Sequence, residues 1–319
     1  MDTQFQAYQR IYDETFTHLY ELNKTYLMDT VMIDTNLPGM TKVYNFLDRL
    51  EAVTKTSKHE VVSPQEADHS ARHLVVKTHY VPTIRDKEQV EQMIKDPTND
   101  YYMEAVTAIK RKQTKTLLDG MFSDVIINED GGSTSSFPGA NQIAVNYSGG
   151  PFGQNSGAAD VSLNVDKLMA IKKKLSTAGI LINDSESSKL HVAVTEEEVQ
   201  GLMANTIGTD NFPILDNNFT SMQMSLEKAV DTINDNMFYW QGFHFHVIPA
   251  EFFQTDANGD RRIPVWLKSG VTYGLKENIK SEIVALPNTV ESVKIQALTR
   301  VGCLRKQDSK VYEIKCHVA

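Results

Sequence analysis

Residues 67–122 read ADHSARHLVVKTHYVPTIRDKEQVEQMIKDPTNDYYMEAVTAIKRKQTKTLLDGMF, and this stretch decides the fold. It passes from a strand-like arm, through Pro82 and an acidic linker, into one long helix. From Leu74 to Val81, Val75, Lys77 and His79 alternate with Val76, Thr78 and Tyr80, so neither face is continuously apolar. That pattern predicts an exposed arm laid on a neighbouring molecule rather than a strand inside its own core. The helix is better signalled. Asp96 suits the N-cap, Pro97 the first helical position and Gly120 the C-terminal stop. Tyr102, Ala105, Val106, Ile109 and Leu117 make a broken apolar stripe. Lys110, Arg111, Lys112 and Lys115 gather toward the negative end of the helix dipole.

Working outward, 4–27 spaces Phe5, Tyr8, Tyr12, Leu19, Leu22 and Tyr26 at three- and four-residue steps, an amphipathic helix. Its apolar face belongs either on the chain's own core or on an adjacent molecule. Leu37-Pro38-Gly39 breaks the chain. Residues 43–62 then mix Arg49, Glu51, Lys55, Lys58 and Glu60 with Val43, Phe46, Leu50, Val53 and Val61. Exposed ion pairs contribute only ~0–1 kcal/mol each, so these charges fix register through repetition between copies, or else form a solvated face. Residues 128–157 are rich in Gly, Ser and Pro and predict loops and short hairpins.

A central α/β lobe follows. Within 160–178, Val165, Leu168, Ile171 and Leu175 line one helix face, Lys172 to Lys174 lie opposite or beside them, and Gly179 ends the helix. Ile180 to Ile182 can begin a strand. Leu190, Val192 and Val194 alternate along a strand, and Thr195 with Glu198 forms a capping box for a helix reaching Gly208. Met237 to Ile248 predicts one aromatic strand, with Phe243, Phe245 and Val247 on one face and His244, His246 and Ile248 on the other. Val293, Ile295 and Ala297, a turn at 307–309, and Val311 to Val318 make a terminal hairpin that packs back on the long helix.

Composition narrows the chemistry. The 319 residues allow one large or two modest domains, and 41% hydrophobic with 23% charged residues describes a folded chain. No run approaches the ~20 apolar residues that span a bilayer, so no membrane partner is expected. The acidic, amphipathic start does not read as a secretory signal. A net charge of -9 argues against tight or sequence-specific DNA binding. Cys303 and Cys316 read as small buried thiols of an intracellular protein. No GxxxxGK[ST], zincin motif or nucleophile elbow occurs, so no catalytic residue, cofactor or metal is expected. His244 with His246, and His69 with His73, lack the further ligands a metal needs. Asp256 to Asp260 has its glycine at the wrong place for an EF-hand, and Asn258-Gly259 reads as a tight turn. Lys172 to Lys174 read as a solvated face rather than a DNA contact.

The opening stretch, with NMFYWQGFHFHVIP at 236–249, WLKSGVTYG at 266–274 and VKIQALTRVGCLRKQDSKVYEIKCH at 293–317, resembles the major capsid proteins of tailed double-stranded-DNA phages. These have the Hong Kong 97-type fold. The matched parts cover about half the chain, and their order is more diagnostic than any one motif. The resemblance implies an α+β fold: N-terminal arm 1–36, extended β-hairpin loop 37–86, peripheral domain with spine helix 87–159, inserted axial α/β domain 160–235, and return strands 236–319. It implies a virion structural protein that self-assembles, through pentameric and hexameric capsomers, into an icosahedral head around DNA. Scaffolding, portal and decoration proteins are the expected partners, DNA contact is non-specific at most, and assembly takes place in the host cytoplasm. The expected inter-subunit residues are Phe5, Tyr8, Tyr12, Arg49, Lys55, Lys58, Glu60 and Arg72. After Lys112 the helix reads QTKT where relatives often carry a charged pattern, so local charge pairing is not carried over. An encapsulin-like compartment on the same fold, and a metal-dependent hydrolase using His244 and His246, are the alternatives.

Overall fold

The computed structural model describes residues 25–47, 50, 52–55, 57–58, 66–86, 98–147, 160–180, 188–206, 226, 228–230, 236–285 and 292–318. In chain order these form β1 (Met32–Asp34), β2 (Thr41–Leu47), β3 (His69–Val75), β4 (Lys77–Asp86) and helix α1 (Thr98–Phe122). Next come β5 (Val125–Ile127), β6 (Ser133–Ser135), β7 (Gln142–Ile143), α2 (Val165–Thr177), β8 (Leu190–Val194) and α3 (Glu196–Thr206). The remaining strands are β9 (Met237–Trp240), β10 (Phe243–Val247), β11 (Arg261–Leu267), β12 (Val271–Ala285), β13 (Ser292–Arg305) and β14 (Val311–Cys316). They build three sheets, ordered β1-β12-β13-β4, β7-β14-β11-β8-β10-β9 and β2-β3-β5-β6. The strands and helices make a mixed α+β fold.

The chain divides into two units. One comprises 1–25, 78–113 and 277–300. Within it Ala105 and Ile109 of α1 pack on Ala297 of β13, flanked by Val81 and Ile279. Gln113 extends that stripe by one more four-residue step, and a buried amide must find partners. Its Nε2 donates to Thr299 Oγ1 at 2.9 Å, and Thr299 Oγ1 in turn donates to the carbonyl of Glu277.

The other unit comprises 26–77, 114–276 and 301–319. Its core lies where α2 covers the six-stranded sheet: Val165, Leu168, Ile171 and Leu175 meet Leu190, Val192, Val194, Phe243 and Phe245. Asn164 caps α2, its side chain accepting from Lys167 N at 2.9 Å, and Gly179 leaves the helix at φ 72°. Half of the capping box forms: Thr195 N donates to Glu198 Oε2 at 2.9 Å, while the Thr195 hydroxyl donates to the same carboxylate and accepts from Arg261. Every residue of β8 is buried, because β8 lies inside the sheet, between β10 on one side and β11 on the other.

Five expectations are corrected here. The terminal strands do not form a hairpin with each other: β13 lies between β12 and β4, and β14 lies in the six-stranded sheet between β7 and β11. The arm does not start outside its own core: Ala71, Leu74 and Val76 are buried, and Leu74 packs with Leu37, Val125 and Leu304. Gly120 does not stop the helix, which continues to Phe122. A Cβ at Gly120 would stand 2.4 Å from Cys303 Cβ, so glycine is there to let β13 approach the helix. The segment Met237 to Ile248 is a hairpin rather than one strand. Trp240 pairs with Phe243 across the two-residue turn Gln241-Gly242, at φ 51° and 80°. Finally, Lys172 Nζ donates to Gln241 O, and Lys174 Nζ donates to Ala140 O and Gln142 O, so two of the three lysines tie loops down. The Asn258-Gly259 turn is as expected, with Gly259 at φ 89° and Asp256 Oδ1 accepting from Asn258 N at 2.8 Å.

Candidate functional site

Successive side chains of β2 point to opposite faces, as the two-residue period of a strand requires. Lys42, Tyr44 and Phe46 share the inner face. Lys42 Nζ meets Asp34 Oδ2 at 2.5 Å, and Tyr44 donates its hydroxyl to the same oxygen. Burial would raise the Asp34 carboxyl, but its bonds to Lys42 and Tyr44 outweigh that and hold it below the usual carboxylate range. Burial, then the hydrogen bond to Asp34 and its charge, push the Tyr44 phenol upward. Lys306 lies 5.3 Å from the Tyr44 ring and 5.8 Å from Phe46. This face is bound to its own chain.

The other face of β2 presents Val43 and Leu47, 43% and 60% exposed, and beyond the strand Leu50 and Val53 are 53% and 74% exposed. Lys55 and Lys58 are exposed among them. Of the expected inter-subunit residues these two therefore stand in solvent. Phe5, Tyr8, Tyr12, Arg49 and Glu60 lie outside the described residues. Arg72 is engaged within the chain: its NH1 and NH2 groups donate to the two carboxylate oxygens of Asp308 at 2.9 and 2.7 Å, and NH1 also reaches the carbonyl of Arg305.

Asp308 is shared. Arg305 Nε meets its Oδ1 at 2.6 Å, while Arg305 NH1 donates to Met121 O and Ser123 O at 2.9 and 3.0 Å. These carbonyls sit at the end of α1, whose last turn contains no basic residue. The lysines at 110–115 lie too far back to serve that end, since dipole effects fade beyond the last turn. Arg305 does it instead, fully buried and stacked 5.0 Å from the Phe137 ring. Burial would raise the Asp308 carboxyl, and its hydrogen bonds to the two guanidiniums hold it low. Nothing in the sequence neighbourhood of α1 or of the 307–309 turn announced this triad.

The histidines singled out as metal candidates do meet a third, His191, which the sequence reading passed over. His191 Nδ1 lies 3.0 Å from His246 Nε2. Among the described residues no group of three or more His, Cys, Asp or Glu side chains is arranged to hold a metal ion. Cys303 and Cys316 are free thiols, and burial pushes that of Cys316 up to about 12. Among the described residues no helix is long and apolar enough to cross a membrane. What these elements offer is an anchored hairpin that exposes Val43 and Leu47 on its outer face.

The sequence matches the model of the family described as phage capsid protein over residues 5–318. The fold is similar to the capsid structure of Ralstonia phage GP4, at 8% identity and a TM-score of 0.65, covering 98% of this chain and 96% of that one. It is also similar to the capsid structure of cyanophage P-SCSP1u, at 11% identity and a TM-score of 0.62, covering 97% and 92%. A third similar structure is the mature capsid of bacteriophage PhiM1, at 8% identity and a TM-score of 0.61, covering 96% and 91%. No curated protein matches the sequence significantly.

Proposed function

Because the chain belongs to the phage capsid protein family and is thus a structural subunit of a phage head, we propose that it builds the head as Hong Kong 97-type subunits do. The family match across 5–318 is the observation that carries this reading. In it the arm 1–36 and the extended loop 37–86 grip neighbouring copies, the spine helix and return strands form the wall, and the axial domain 160–235 closes pentameric and hexameric capsomers. Phe5, Tyr8, Tyr12, Arg49, Lys55, Lys58 and Glu60 are the proposed contacts. The internal engagement of Arg72 gives it the role of fixing the loop's base. The solvent-facing Val43, Leu47, Leu50 and Val53 support the reading, since a short segment exposing several large apolar groups gains by docking. Scaffolding and portal proteins would guide assembly in the host cytoplasm, and the work of the subunit is geometric.

Negative-stain microscopy of the purified chain, alone and with a scaffolding protein from the same phage, tests this. Closed shells are expected, containing nucleic acid rather than protein cargo when made in infected cells. A chain that stays monomeric with every partner would refute it. The loop contacts have their own test. The double reversal Lys55→Glu with Lys58→Glu should leave the monomer's stability within ~0.5 kcal/mol, because both groups are exposed. Particle yield by sedimentation should fall several-fold. Undiminished yield would remove these lysines from the interface.

A further inference from the structure

His191 on β8 and His244 and His246 on β10 lie together where these two strands run parallel, His244 in register with His191 and His246 with Ala193. His191 is 6% exposed and His246 7%, and their facing nitrogens, Nδ1 and Nε2, are 3.0 Å apart. The indole of Trp266 on β11 stacks against both rings, with centroids 5.9 Å from His191 and 6.4 Å from His246. A hydrogen bond between two imidazole nitrogens needs one N–H and one lone pair, so it exists only while the accepting ring is neutral. A first proton on the far nitrogen of the donating ring leaves that bond in place; a second, on the accepting nitrogen, removes the lone pair and sets N–H against N–H.

We propose that the His191–His246 pair is an acid-sensitive latch, bracing β8 against β10 beside their backbone ladder at neutral pH and losing that brace once both rings are protonated. The site gives an imidazolium at His246 little to rest on. β10 contributes His244, whose charge has the same sign, and burial followed by that charge pushes His246 down to about 4. β9 contributes the phenol of Tyr239, which lies against His244 at 4.8 Å between centroids and is largely exposed. β11 contributes the indole, whose N–H donates to Thr30 O at 3.1 Å. Farther along β11, Arg262 is bound to Glu313 of β14 at 2.7 Å. In the segment that holds Thr30, Asp29 faces solvent.

The direction follows from proton counts. The unfolded chain protonates its histidines near pH ~6.5, whereas His246 in the fold takes up its proton near 4. Between those values the unfolded state binds more protons, so stability is full above the upper value and declines as pH falls through the window. The folding equilibrium constant is expected to drop on the order of 100-fold across it.

Thermal and urea melts between about pH 7.5 and 4.5, run below the concentration at which particles form, compare the unaltered chain with the double variant His191→Leu, His246→Leu. Carboxylates titrate in both, so the difference in slope isolates the pair. The unaltered chain should lose on the order of 100-fold more in folding constant than the variant. Equal slopes would overturn the latch. If the variant does not fold, imidazole NMR of the unaltered chain decides. His246 remaining neutral in the folded state below about pH 5 supports the latch, and its ordinary titration near pH ~6.5 in the folded chain overturns it.

Discussion

Replacing Arg305 with methionine is expected to cost about 4 kcal/mol of folding stability and to lower the melting temperature by about 10 °C. Methionine keeps the apolar stem but deletes every donor. The carbonyls of Met121 and Ser123 then end α1 without the guanidinium that now serves them, and Asp308 keeps only Arg72. The burial of Arg305 is complete, so water cannot take its place without opening the packing around Phe137. Arg72→Met provides the scale. Its side chain is 16% exposed and its partner retains Arg305, so the cost should be nearer 1–2 kcal/mol. Urea midpoints of the two purified variants measure the contrast. Should Arg305→Met cost no more than Arg72→Met, the Arg305 guanidinium does not stabilise the end of α1 as argued.

Gly302→Ala should be more damaging still, leaving little soluble folded chain. The added Cβ would lie 2.2 Å from the carbonyl oxygen of Val75 and 3.0 Å from its carbon. These are backbone atoms, held in place because Leu74 and Val76 on either side are in the core. Overpacking normally costs about 1–3 kcal/mol because side chains can shift, and no side chain is available to shift here. Gly120→Ala makes the informative comparison. Its obstacle is the Cys303 side chain, at 2.4 Å, so Cys303→Gly should restore much of the stability lost. No corresponding second change should rescue Gly302→Ala. Soluble yield and melting temperature of the three variants settle the matter, and a well-folded Gly302→Ala chain would contradict the clearance argument.

Helical parts of the fold were the most legible, for a local reason. The α2 stripe and the Thr195–Glu198 box are written within a few residues and need no distant partner. Most of the misreadings concern residues whose meaning lies far along the chain. Gly120 carries the same letter whether it stops a helix or admits a strand, and only Cys303, on β13, distinguishes the two. Leu74 and Val76 looked exposed because polar residues alternate nearby, yet the strand changes surroundings at Val76, where one half enters the core. The turn at Gln241-Gly242 escaped notice because glutamine rarely takes the left-handed backbone that position demands. Lys172 and Lys174 resembled a wetted helix face, since sequence does not show where a long stem will reach. For the candidate contacts, the sequence indicated a mixed-charge arm. Whether each charge is spent at home, as with Arg72, depended on a carboxylate at Asp308.

The donors that complete the end of α1 come from Arg305, 184 positions after Met121. A ribosome adding ~5–20 residues per second needs roughly 10–40 s to cover that distance. For that interval the nascent polypeptide carries a helix whose terminal carbonyls await a residue not yet made. Prematurely terminated products would keep that defect permanently. The end of α1 is therefore completed only once translation has passed Arg305.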